Sequence, residues 1–181
     1  MSTSTPSPSE AEFRRFHQRN SPRVYGYVRR HCDEAECDDV LAEVFVVAWR
    51  RWGELPADPI PWLLATARKT LANHWRSRDR RTRLATELAG IRDLSSDDPA
   101  SVAVERAELL AALAALDQPD REILLLVGWD GLDSAGAAKV LGITPVAARA
   151  RLSRARHRLA SRTETPSGGS RPHSSLLIEG S

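Results

Sequence analysis

Cysteine is nearly absent. Cys32 and Cys37 are the only two in 181 residues. Two thiols, even with the neighbouring His31, fall short of the four ligands of a closed zinc site, and CxxxxC is not a common zinc spacing. No metal is expected, and both cysteines read as free thiols of a reducing compartment. Long apolar runs are also missing, and none approaches the roughly 18 residues that a membrane span needs. The opening "MSTSTPSPSE" has neither the basic nor the apolar region of a signal peptide. The expectation is a soluble, cytoplasmic chain with no membrane insertion. No stretch alternates apolar and polar residues between turn signals, so no sheet is expected and the fold class is all-α. No cluster of acids or metal ligands falls on one predicted surface. The chain is therefore not read as an enzyme, and no cofactor or small-molecule substrate is expected. The acidic stretch from Asp33 to Asp39 is explained more simply as a helix N-terminus.

What is present is charge in separated blocks. The net charge is only +2, yet residues 84–127 hold nine acids against three arginines. Arg76 to Arg83 and Arg149 to Arg162 are almost purely basic. Such blocks create electropositive patches that suit a polyanion.

The punctuation gives a series of helices. Ser9-Glu10-Ala11-Glu12 fits a capping box, and Phe13 and Phe16 start an apolar face. Pro22 suits the first turn of a second helix, continued by Val24, Tyr27 and Val28. A third helix is expected over about Asp38 to Trp52. The prolines of "LPADPIP" mark a loop, and a fourth helix follows from about Pro61 to Arg78. Residues 84–100 read as an acidic linker. Beyond it come "VAVERAELLAALAAL", then "DQPDREILLLVGW", then a short helix capped by Asp133 and stopped by Gly142. Thr144-Pro145 opens the last helix, which runs to about Arg162. Two small helical domains result, 10–83 and 101–162, with a disordered tail at 163–181.

The last two helices, separated by "GIT", fit a helix-turn-helix, whose second helix enters the DNA major groove. On a helical wheel, Ala148, Leu152, Ala155 and Leu159 form an inward stripe. Val146, Ala150, Ser153, Arg154 and His157 point outward. Arg149 and Arg156 flank one side, and Arg151 and Arg158 the other. Flanking arginines suit phosphates, and an outward arginine can donate two hydrogen bonds to a guanine edge. Arg149 and Arg154 are the candidates for base contacts. Ala150 and Ser153 are small enough to permit close approach.

In the third helix, Leu41, Val44, Phe45, Ala48 and Trp52 form the expected buried face. Asp39, Glu43, Val46 and Arg50 lie on the other side as a mixed, protein-binding face. In the fourth helix, Leu63, Leu64, Ala67, Leu71 and Trp75 line the apolar side, with Lys69, Asn73 and Arg76 opposite. A basic surface beside aromatics suits single-stranded nucleic acid.

The succession of "CDDVLAEVFVVAW", "PIPWLLATARKTLANHWRSRDRR", an acidic linker and "LDQPDREILLLVGWDGLDSAGAAKVLGITPVAARARLSRARHRL" resembles a bacterial RNA polymerase sigma factor of the extracytoplasmic-function group. The resemblance covers roughly Phe13 to Leu159. It implies that Asp39, Glu43, Val46 and Arg50 dock on the β′ clamp helices of core RNA polymerase. It implies that Trp62, Lys69, Asn73, Arg76, Arg78 and Arg80 serve the melted minus-10 element of promoter DNA. The last helix would read the minus-35 duplex through Val146, Arg149, Ala150, Arg151, Ser153, Arg154 and His157, and its domain would contact the β flap. An anti-sigma factor is implied as a further partner. Lys69, where an Asn is common, and Ala135 and Gly136, where acids are common, depart from the family pattern. Gly136 costs about 1 kcal/mol of helix propensity against Ala. A self-standing helix-turn-helix regulator is the competing reading, but it would need neither the docking face nor the single-strand face.

Overall fold

The computed structural model describes residues 8–32, 34–74, 85, 87–89 and 102–163. All regular structure among the described residues is helical. The first helix, α1 (Glu10–Arg29), starts at the expected capping box. The Ser9 hydroxyl accepts from the Glu12 amide at 3.3 Å, and the Ser9 amide donates to the Glu12 carboxylate at 2.9 Å. Pro22 does not open a second helix; it lies inside α1. The helix continues because Phe13, Phe16, Asn20, Val24, Tyr27 and Val28 share one inward stripe, and packing along it outweighs one lost amide.

Helix α2 (Glu34–Arg50) begins earlier than the expected Asp38, taking the acidic stretch into its first turns, where the helix dipole favours negative charge. It ends at Arg50, and a short 3-10 turn at Trp52–Glu54 leads into the proline loop. Helix α3 (Ile60–His74) follows. Trp75, Arg76, Arg78 and Arg80 of the expected basic end lie outside the described residues.

The C-terminal half contains α4 (Val102–Ala114), α5 (Gln118–Gly128), α6 (Ser134–Leu141) and α7 (Pro145–Thr163). Its ends follow the sequence signals. Asp117 caps α5 by accepting from the Asp120 amide at 3.1 Å, and Asp133 caps α6 by accepting from the Gly136 amide at 2.6 Å. Gly142 ends α6 in the left-handed region at φ 66°, a conformation costly for a residue with a Cβ. The Thr144 hydroxyl accepts from the Ala147 amide at 3.2 Å and opens α7.

Helix α3 stands at the centre, packing on α1 and α2 to one side and on α6 to the other. A single buried cluster therefore runs from Val24, Val40, Val44 and Leu63 into Ile123, Ala137, Ala148 and Leu152. A smaller cluster, Leu113, Leu116 and Leu125, joins α4 to α5. Of the expected acidic linker only Ala85 and residues 87–89 are described. Glu87 there is not solvated but buried, 2.9 Å from the Arg121 guanidinium.

Candidate nucleic-acid interface

The surface of α7 follows from which of its residues the fold consumes. Ala148 and Ala155 are fully buried, Leu152 nearly so, and Leu159 half-buried. This stripe seats α7 on α5, α6 and α4. On the opposite side Val146, Arg149, Ala150, Ser153, Arg154 and His157 are all exposed, and Arg151 is half-buried. Val146, at the N-terminal end, is 67% exposed, the highest value among the large exposed apolar residues. An apolar side chain there can meet a thymine methyl group. Arg158 is different from its neighbours. Its guanidinium donates to Asp120 at 2.5 Å and to Asp117 at 3.5 Å, so it ties α7 to the start of α5.

On α2, Asp39, Glu43, Val46 and Arg50 are all exposed. The His74 ring lies 3.3 Å from Glu43 and links the end of α3 to this face. Beside the face runs an apolar groove of about 360 Å³, lined by Phe13, Ala42, Phe45, Val46, Trp49 and Arg50. The sequence reading missed Phe13 and Trp49 here. Trp49 sits three residues after Val46 on the same helix, and that spacing was the available signal. The Phe13 and Trp49 rings meet edge to face at 4.8 Å, which holds the groove open as a shaped surface.

On α3, Lys69 and Asn73 are exposed, and Trp62 is half-buried. Trp62, Thr66, Lys69 and Asn73 share one helical stripe. The Arg51 guanidinium lies 5.7 Å from the Trp62 ring centroid and is itself paired with Glu54, so the 3-10 turn is pinned to the start of α3. The structure thus separates three surfaces: a mixed face on α2, a polar stripe on α3 and a basic face on α7. No described group of three or more His, Cys, Asp or Glu could hold a metal. Cys32 and Cys37 are buried thiols, not joined in a disulfide, with their sulfurs 2.9 Å apart. No described helix is long and apolar enough to cross a membrane.

Comparison with known proteins gives the surfaces a context. The model of sigma-70 region 2 matches residues 16–81, and that of sigma-70 region 4 matches residues 106–159. The probable RNA polymerase sigma factor RfaY of Xanthomonas campestris pv. campestris is 35% identical over 153 residues, 77% of this chain. This chain spans 38% of that protein's length. The ECF RNA polymerase sigma factor SigC of Mycobacterium tuberculosis is 31% identical over 146 residues, 78% of this chain and 77% of its own. Among solved structures, the sigma factor RpoE of Bartonella quintana, in complex with the anti-sigma factor NepR, superposes with a TM-score of 0.58 at 20% identity. That match covers 83% of this chain and 96% of the other.

Proposed function

The chain belongs to the extracytoplasmic-function group of the sigma-70 family of RNA polymerase sigma factors, and we propose that it directs core polymerase to promoters as an alternative sigma factor. The observation that carries this is the division of exposed faces. One helix-turn-helix alone would need only the α7 surface. Here α2 and α3 present two further faces that a duplex-binding regulator does not use.

In this reading α7 lies in the major groove of the upstream, minus-35 element. Arg149 and Arg154 donate to base edges, Val146 meets a thymine methyl, and Arg151 neutralises phosphate. Ala150 and Ser153 allow close approach, and His157 extends the same face. Trp62, Lys69 and Asn73, with Arg76, Arg78 and Arg80, which follow in sequence outside the described residues, hold the opened minus-10 strand by stacking and charge. Asp39, Glu43, Val46 and Arg50 dock on the β′ clamp helices, and the Trp49 groove extends that contact. The C-terminal half meets the β flap, and an anti-sigma factor restrains the protein by covering the docking faces. The chain contributes recognition, not a catalytic step of its own.

The test is run-off transcription from genomic promoter fragments with purified core polymerase. Promoter-dependent transcripts are expected only when the protein is added. Absence of both polymerase binding and specific initiation overturns the reading.

A further inference from the structure

The chain has two cysteines, and the fold brings both to one point. Cys32 lies in the turn after α1, and Cys37 lies near the start of α2. Their sulfurs stand 2.9 Å apart, and the two residues are 1% and 0% exposed. Residues five apart do not share a helix face, so the turn makes this meeting. None of the three surfaces described above uses the pair.

The turn is well anchored. Arg30, just before it, is 1% exposed and pairs with Asp130 at 2.9 Å and 2.5 Å. The Cys32 amide and thiol both donate to the Val28 carbonyl, at 3.1 Å and 3.2 Å. The Cys37 thiol lies 3.5 Å from the Cys32 carbonyl. Both cysteines belong to the main buried cluster, with Val28, Val40 and Val44.

The sulfur separation distinguishes two chemistries. Two thiolates on one zinc, each at about 2.3 Å in tetrahedral geometry, stand about 3.8 Å apart. A disulfide bond is about 2.05 Å long. At 2.9 Å the sulfurs are too close to hold a metal between them. They are within about 1 Å of bonding distance.

We infer that Cys32 and Cys37 are a modification site, where a peroxide forms a reversible disulfide that staples the start of α2 to the end of α1. One sulfur, as thiolate, attacks a peroxide oxygen. The O–O bond breaks, leaving a sulfenic acid and a hydroxide that takes up the thiol proton as water. The second sulfur attacks the first, the S–S bond forms and the S–O bond breaks. The departing oxygen leaves as water with the second thiol's proton. Two thiols lose two electrons and two protons, and one hydrogen peroxide becomes two waters. In a reducing compartment such a bond is transient and redox-sensing, not permanent.

Burial selects the oxidant. Hydrogen peroxide is small enough to enter through brief local openings, whereas glutathione disulfide is not. The second thiol then consumes the sulfenic acid before it oxidises further. Because the sulfurs already touch, the bond preserves the local fold. The α2 face of Asp39, Glu43, Val46 and Arg50 therefore keeps its shape. That consequence for docking rests on the promoter reading above, and the thiol chemistry does not.

The test treats the reduced full chain with hydrogen peroxide. The intact mass should fall by about 2 Da, and both thiols should vanish from titration under denaturing conditions. Dithiothreitol should restore both. The oxidised protein should melt about 5 °C higher, and Cys32→Ser with Cys37→Ser should show no such shift. Glutathione disulfide should leave the folded protein unchanged. Oxidised and reduced forms should capture core polymerase equally. Persistent thiols, a gain of about 32 Da to a sulfinic acid, or a disulfide between two chains overturns the site. An unchanged or lower melting temperature, or loss of polymerase capture on oxidation, overturns the staple. If neither form captures polymerase, the sigma reading fails, while the mass and thiol results decide the disulfide by themselves.

Discussion

Two residues, one fully and one partly buried, show how individual side chains are committed. Leu63 is fully buried in the main cluster. Leu63→Ala should cost about 2–5 kcal/mol, because it removes buried methyl groups and leaves a cavity in a packed core. Urea denaturation gives the measurement. His31 sits 4.7 Å from the Tyr27 ring. Burial, reinforced by Arg30, Arg68 and Arg121, pushes its pKa down to about 3. Unfolding restores an ordinary value near 6.5, so between about pH 6.5 and 3 the unfolded chain binds the extra proton. Stability must fall as pH drops through that window, by on the order of 2 kcal/mol at pH 5. Denaturation midpoints at pH 7 and pH 5 test this, and His31→Gln should flatten the difference.

At the scale of elements, α1 and α7 answer different questions. Pro22 interrupts α1 without ending it. Pro22→Ala restores an amide to an exposed helix position and should raise the melting temperature, with a gain of about 1–3 kcal/mol. Unchanged or lower stability would mean that Pro22 has a packing role in the cleft it shares with Arg23, Leu64 and Trp129. For α7, Arg149→Ala combined with Arg154→Ala should abolish dependence on the upstream element. Each lost base contact is worth about 1–3 kcal/mol. Survival of every base preference, scored across a library of promoter variants, would remove these two residues from the reading face.

For the whole molecule, local chemistry was easier to anticipate than the meeting of distant parts. The caps at Ser9, Asp133 and Thr144, the stop at Gly142 and the inward stripe of α7 were legible because each depends on neighbours within a turn or two. The exposed set Asp39, Glu43, Val46 and Arg50 was legible for the same reason, through helical periodicity. Pro22 was misread because local propensity favoured a break, while a stripe shared along α1 favoured continuity. The two expected helical regions match two separate family models, but the buried cluster that runs between them was not legible. Arg30 and Asp130 are 100 residues apart, and no local pattern marks them as partners. Glu87 was counted with the linker charge because its burial depends on Arg121, in a different helix.

The tether between Arg158 and α5 has a measurable consequence in the ionic-strength dependence of duplex binding. Each phosphate neutralised by a side chain releases bound cations and contributes about −0.9 to the slope of log affinity against log salt. Arg158 already spends its charge on Asp117 and Asp120. Arg158→Ala should therefore weaken the seating of α7 yet leave the slope unchanged, whereas Arg151→Ala should make it shallower by about 0.9. A salt titration of the two variants would distinguish an arginine that holds the helix from one that holds the DNA.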